Sequence, residues 1–223
     1  MRRNAPAIGR GEVRVSEVAL LAWPITLSML SHTVMGLVDV LYVAWLGTAA
    51  LAAVGLATTA VFLVQSFGMG MAGAVKVVVS HRVGAGDEEG VRRLWWQGLW
   101  MAIGLGLVTA CTVPVWRPLL LALADDREVT SLVAAYFDVR VLGTPLLLVH
   151  LALSAWFQGQ GDTRTPMIAT LLCNVVNVVL DPLLIYGAGP VPALGVAGAA
   201  WATVAGFVPA VLWLVWSARG AIG

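Results

Sequence analysis

From residue 18 onward the chain alternates long apolar runs with short polar breaks. Six runs are long enough to matter: 18–46, 51–79, 95–115, 132–157, 167–186 and 195–216. Crossing the hydrocarbon core of a bilayer takes about 20 mostly apolar residues in a helix, and each run meets that length. Barrel strands would be about 10 residues of alternating character, whereas these runs are apolar all round. The pattern therefore predicts an all-α membrane protein with six transmembrane helices. Residues 1–17 form an N-terminal segment and 217–223 a tail, with 18–216 as the membrane unit. The breaks are short: Arg82 to Arg93, Asp125 to Glu128, Gln158 to Thr165, and a turn around Gly187-Ala188-Gly189-Pro190. None is long enough for a soluble domain. The first apolar run starts after residue 17 and exceeds the 7–15 residues of a secretory h-region, so a cleaved leader is not expected.

Charge sets the orientation. With the N-terminus inside, ten of the 13 Lys and Arg face the cytoplasm: Arg2, Arg3, Arg10, Arg14, Lys76, Arg82, Arg92, Arg93, Arg164 and Arg219. Only Arg117 and Arg127 lie outside, and Arg140 falls within the fourth span. Cytoplasmic loops retain Lys and Arg, so both termini are expected in the cytoplasm. Trp45, Trp95, Trp96, Trp116 and Trp216 sit near span ends, where amphipathic rings anchor at the interface. Composition agrees: 60% of the 223 residues are hydrophobic and 11% charged, and mean hydropathy is +0.89. Such a chain cannot coat a soluble globule with polar groups, which argues against a soluble enzyme. A net charge of +1 offers no basic stripe for nucleic acid. Cys111 and Cys173 lie in apolar runs and read as small hydrophobes, neither a disulfide framework nor a zinc site.

Two acids stand inside the spans, Asp39 in the first and Asp181 in the fifth. A carboxylate at the bilayer centre costs at least ~2.5 kcal/mol, so such residues point to function. Both spans run outward, and each acid lies about 8–10 Å below the outer end at 1.5 Å per residue. Asn174, Asn177 and Asp181, spaced i, i+3, i+7, line one face of the fifth span. Pro182 removes a backbone donor next to them. Two acids at one depth oppose each other's ionisation unless a proton or cation intervenes. The cluster thus suits H⁺, or Na⁺ with oxygen ligands. Asn174 alone is equally explained as interhelical glue. Lys76 can snorkel to the interface. Asp138 and Arg140 can pair with each other or with headgroups, Tyr136 can anchor at the interface or bond the acids, and Asp125, Asp126 and Glu128 read as solvated.

Several strings resemble the multidrug and toxic compound extrusion (MATE) transporters, in particular the DNA-damage-inducible F-like branch. They are Pro24 to Ser31 with Gly36-Leu37-Val38-Asp39, Leu46 to Gly55, Gly84-Ala85-Gly86-Asp87, Phe157 to Pro166, Asn177 with Leu180-Asp181-Pro182-Leu183, and Gly195 to Thr203. Each alone is weak; the ordered set spans about residues 18–216. The resemblance implies a proton or sodium site at Asp39, Asn177 and Asp181, which would be the metal ligands if sodium is the ion. It implies further polar partners at Thr203 and Tyr136, and a hinge role for Pro24 beside Pro182. Family members have twelve spans in two lobes, and this chain supplies one.

The function so implied is cation-coupled antiport at the bacterial inner membrane, exporting organic, often cationic, compounds, with no cofactor beyond the transported H⁺ or Na⁺. The expected partners are the lipid bilayer, a small organic substrate and a second six-helix lobe, and no nucleic acid. Three alternatives follow: a transport-incompetent half or assembly partner, a lipid-linked precursor flippase, and an intramembrane aspartyl protease. The flippase would want more interior cations than Arg140 and Lys76. The protease rests on Gly159-Gln160-Gly161-Asp162, but Asp162 lies at the opposite membrane face from Asp39.

Overall fold

The computed structural model describes residues 15–122 and 126–222. Arg2, Arg3, Arg10, Arg14 and Asp125 lie outside them. The described residues form eight helices: α1 Val15–Ala44, α2 Thr48–Gly84, α3 Glu88–Cys111, α4 Val113–Leu121, α5 Arg127–Leu142, α6 Thr144–Gly159, α7 Arg164–Tyr186 and α8 Val196–Ile222. Five are long and apolar enough to cross a membrane, and the bent pair α5–α6 meets the same test when taken as one broken span, for up to six crossings.

That bend departs from the single run expected over 132–157. α5 and α6 meet at 45°. Pro145 has no N–H to offer the Val141 carbonyl of the preceding turn, and next to that gap the Arg140 carbonyl accepts from Gln65 Nε2 of α2 and from Thr144 Oγ1, each at 3.4 Å. Gln65 Nε2 also donates to Thr144 Oγ1 at 3.1 Å. Membrane-buried backbone must be satisfied by protein, and Gln65 supplies that here. A second departure is α4, a short helix with Pro at its start beyond the third crossing.

Local chemistry sets the turns on the expected cytoplasmic side. Asp87 caps α3, its Oδ1 accepting from Gly90 N at 2.8 Å, and Arg82 donates to Oδ2 at 2.6 Å. Asp162 Oδ1 accepts from Arg164 N at 3.1 Å and Thr165 N at 3.0 Å, and Oδ2 from Thr165 Oγ1 at 2.7 Å. That carboxylate organises the start of α7. The Gly90 amide, then Arg82, hold the Asp87 carboxyl below the usual carboxylate range. A depressed folded value contributes stability that is complete above the ordinary value and lost as pH falls through the lower one. Acidification below the usual carboxylate range should therefore lower the protection factor of the Gly90 amide against hydrogen exchange. Asp87→Asn should flatten that pH dependence.

α1 rests mainly on α7, α7 on α8, and α6 on α2, α3 and α8. Contacts between α1 and α7 keep a nearly constant register: the Arg164 guanidinium over the Trp23 ring at 5.9 Å, Asn174 with Ser31, and Tyr186 Oη donating to the Tyr42 carbonyl. Constant offset means that the two helices are parallel. Two apolar clusters fill the interior. One contains Trp95, Leu148, Trp156, Cys173 and Phe207; the other contains Val43, Val61, Phe137, Ile185 and Ala200. Along α7 and α8 the residues between them are Asn177, Asp181 and Thr203. Trp95, expected at the interface, is 2% exposed and packs edge-on against Trp156 at 5.0 Å. Trp156 Nε1 in turn donates to the Val91 carbonyl at 2.8 Å.

Candidate functional site: a buried acid pair between α1 and α7

The site sits where the two apolar clusters part. α7 turns Asn177 and Asp181 inward because its i, i+3, i+7 face meets α1 and α8, and both residues are fully buried. α1 brings Asp39 opposite, so that its carboxyl faces that of Asp181 at close range. Two carboxyls settle so close only with a proton or cation between them, since bare carboxylates repel. Asn177 Nδ2 donates to Asp181 Oδ1 at 3.4 Å and reaches Thr203 Oγ1 at 3.5 Å. The Thr203 hydroxyl donates to the Ala199 carbonyl at 3.0 Å, which turns its lone pairs toward Asn177.

Several oxygens remain for an ion. Asp39 Oδ1, Asp181 Oδ2 and Asn177 Oδ1 are buried without a hydrogen-bond partner. Buried polar atoms are nearly always satisfied, so three left open in one place mark this as the candidate site. No group of three or more His, Cys, Asp or Glu suited to a metal occurs among the described residues; a sodium ion here would rest on two carboxylates and an amide.

Of the residues expected from sequence, Asp39, Asn177, Asp181 and Thr203 come together. Asn174 is about 10 Å further along α7 at 1.5 Å per residue, where its Nδ2 donates to Ser31 Oγ at 2.5 Å. Tyr136 is not brought to the acids: it packs in the cluster of Val43, Val61 and Phe137, with no hydrogen bond to the pair among the described residues. The break after α5 aims that face at apolar neighbours. Pro24 is buried in α1, and Pro182 lies within α7 without ending it. Asp138 does not pair with Arg140; it meets Arg117 of α4 at 3.4 Å. Arg140 instead lies within electrostatic reach of Asp39, as does His32. The sequence held a signal for His32, seven residues before Asp39 on the same helix face. It held a weaker one for Gln65, a lone amide in an apolar run.

The family profile MatE matches residues 24–183, a stretch that contains Asp39, Asn177 and Asp181. The chain belongs to the MatE family. Members of this family are secondary transporters rather than enzymes, and the chain is a multi-pass membrane protein. The chain is 30% identical over 194 residues to a probable multidrug resistance protein NorM of Thermotoga maritima, covering 86% of this chain and 42% of that one. It superposes with a TM-score of 0.80 and 28% identity on an outward-facing multidrug resistance MATE family transporter of the MOP superfamily, covering 90% of this chain and 44% of that one. A MOP superfamily transporter from Pyrococcus furiosus gives the same TM-score, identity and coverage. The chain thus spans less than half the length of these relatives. The protease reading fails, because the family is one of transporters and Asp162 is engaged in the α6–α7 turn.

Proposed function

We propose that this chain is the N-terminal, cation-binding half of a MATE-type antiporter that exports organic, often cationic, compounds. The supporting observation is that Asp39 Oδ1, Asp181 Oδ2 and Asn177 Oδ1 are left without hydrogen-bond partners beside the Asn177–Thr203 hydrogen bond. An H⁺ or Na⁺ from outside enters the pair, cancels charge there and relaxes α1 against α7. The packing change lowers affinity for the substrate, which leaves outward. One charge moving inward across 100 mV yields about 2.3 kcal/mol, enough to drive concentrative export.

Alternating access needs one bundle to rock against another, so the partner is a second six-helix lobe with the substrate between the two. The ordered strings quoted above favour the DNA-damage-inducible F-like branch. The excess of Arg on one face favours cytoplasmic termini on both sides of the 18–216 unit.

Export by the chain together with a second six-helix lobe, measured in proteoliposomes under an imposed ion gradient, tests this reading. Asp39→Asn should abolish gradient-driven export of an organic cation such as ethidium. Undiminished export in that variant removes the mechanism.

A further inference from the structure

α1 and α7 end at one level, just beyond the acids, and there the two helices are tied together. Val43 stands four residues after Asp39 and Ile185 four after Asp181, so each lies over its acid on the same helix face. Both are fully buried, and with Val196 at the start of α8 they join one apolar cluster. That cluster roofs the acid pair on the side expected to face outward. Hydrogen bonds close the helix ends above it. Leu46 N and Gly47 N take up the Val43 and Ala44 carbonyls at 2.9 and 3.2 Å, and Leu194 N and Gly195 N take up those of Leu184 and Ile185 at 2.9 and 3.1 Å. The Tyr42 carbonyl, also in the last turn of α1, accepts instead from Tyr186 Oη. The Tyr186 ring meets that of Tyr42 edge-on at 6.4 Å and lies 6.5 Å from that of Trp45. A tyrosine serving only as an interfacial anchor would turn its hydroxyl to headgroups; this one reaches across to the neighbouring helix.

We propose that Tyr42, Trp45 and Tyr186 form a clasp that holds the outer roof of the cation site shut, and that its release opens the way from outside to the acids. This rests on the acid pair being the cation site. The clasp is suited to opening because Tyr186 is 37% exposed. Its hydroxyl can exchange the Tyr42 carbonyl for water, so release costs only the net contribution of one hydrogen bond. The roof works differently. Val43, Ile185 and Val196 offer an ion or a water molecule no hydrogen bond, so a shut roof bars both, as apolar constrictions do in channels. Further inward the seam has separate ties, Asn174 Nδ2 to Ser31 Oγ and the Arg164 guanidinium over the Trp23 ring. The outward ends of α1 and α7 can therefore part while the inward ties hold.

Thiol labelling of the full chain in lipid nanodiscs tests the clasp. A cysteine is placed in the roof by Ile185→Cys, and Cys111→Ala removes the exposed native thiol. Cys173, buried further inward on α7, stays as a control for general loosening. The probe is a permanently charged methanethiosulfonate, which does not enter hydrocarbon. Labelling at position 185 should be much slower than in Leu194→Cys, an exposed position in the turn that follows. Adding Tyr186→Phe removes the hydroxyl and keeps the ring; it should speed labelling at 185 about two- to tenfold, as loss of one hydrogen bond implies. Tyr186→Ala, which removes the ring contacts too, should speed it further, and Cys173 should stay unreactive throughout. An unchanged rate at 185 in both Tyr186 variants overturns the clasp. So does labelling at 185 as fast as in Leu194→Cys when Tyr186 is intact. Reaction of Cys173 alongside position 185 overturns it as well, because the whole bundle would then be loosening. The labelling requires no ion, which separates it from the export assay: faster labelling in Tyr186→Phe beside undiminished export in Asp39→Asn would keep the clasp and remove the cation site beneath it.

Discussion

Asp181→Asn should melt at a higher temperature than the wild type while losing cation dependence. In the native chain two carboxyls face each other, with Asp39 Oδ1 and Asp181 Oδ2 both buried and unpartnered. The amide keeps the shape of the side chain, removes one of two mutually opposed charges, and gives Asp39 an N–H donor. A hydrogen bond to a charged group contributes about 1.5–3 kcal/mol, and at this chain length each kcal/mol shifts the melting point by about 2–4 °C. A rise of several degrees in detergent is therefore expected, together with loss of any pH- or Na⁺-dependent shift in melting temperature. Stability stored against function is common where a site must stay under-satisfied until its ligand arrives. A variant that melts lower than wild type, with its ion dependence intact, would show that the pair is structural glue.

Gly198→Leu should do the opposite, destabilising the bundle and dismantling the site without touching an acid. A Cβ at Gly198 would fall 2.4 Å from the Leu184 carbonyl oxygen, and one at Gly206 2.7 Å from that of Cys173. These contacts are with backbone, which cannot turn aside. The two glycines bracket Thr203 on α8, so their close approach to α7 is what holds its hydroxyl at Asn177. Overpacking costs about 1–3 kcal/mol, and more where the obstruction is main chain. The melting temperature should drop by several degrees and cation-dependent stabilisation should vanish with it. Gly104→Leu is the control, because nothing lies within 4 Å of a Cβ there; it should change little. Equal loss in both variants would mean that the effect comes from bulk alone, away from the α7–α8 approach.

Much of this site was legible before any coordinates. Helical spacing alone put Asn177 and Asp181 on one face, and the outward run of both spans put Asp39 at a similar depth. Tyr136 shows where that reasoning stops. Its depth was right for a partner, yet depth says nothing of rotation about the helix axis, and α5 turns it into an apolar cluster. Arg117 and Asp138 pair across α4 and α5, a contact set by where the short α4 lies rather than by sequence separation.

What the sequence determined by itself is what the solvent determines. Apolar runs of bilayer length must be helices that satisfy their own backbone, and acids within them must face inward, because lipid offers neither hydrogen bonds nor ions. Which inward faces meet was decided by packing. Parallel α1 and α7 in constant register, α7 and α8 drawn close at Gly198 and Gly206, and the α5–α6 break filled by Gln65 are contacts between residues far apart in the chain. Their geometry depends on the volumes and rotations of several helices at once, and no periodicity within one segment encodes it.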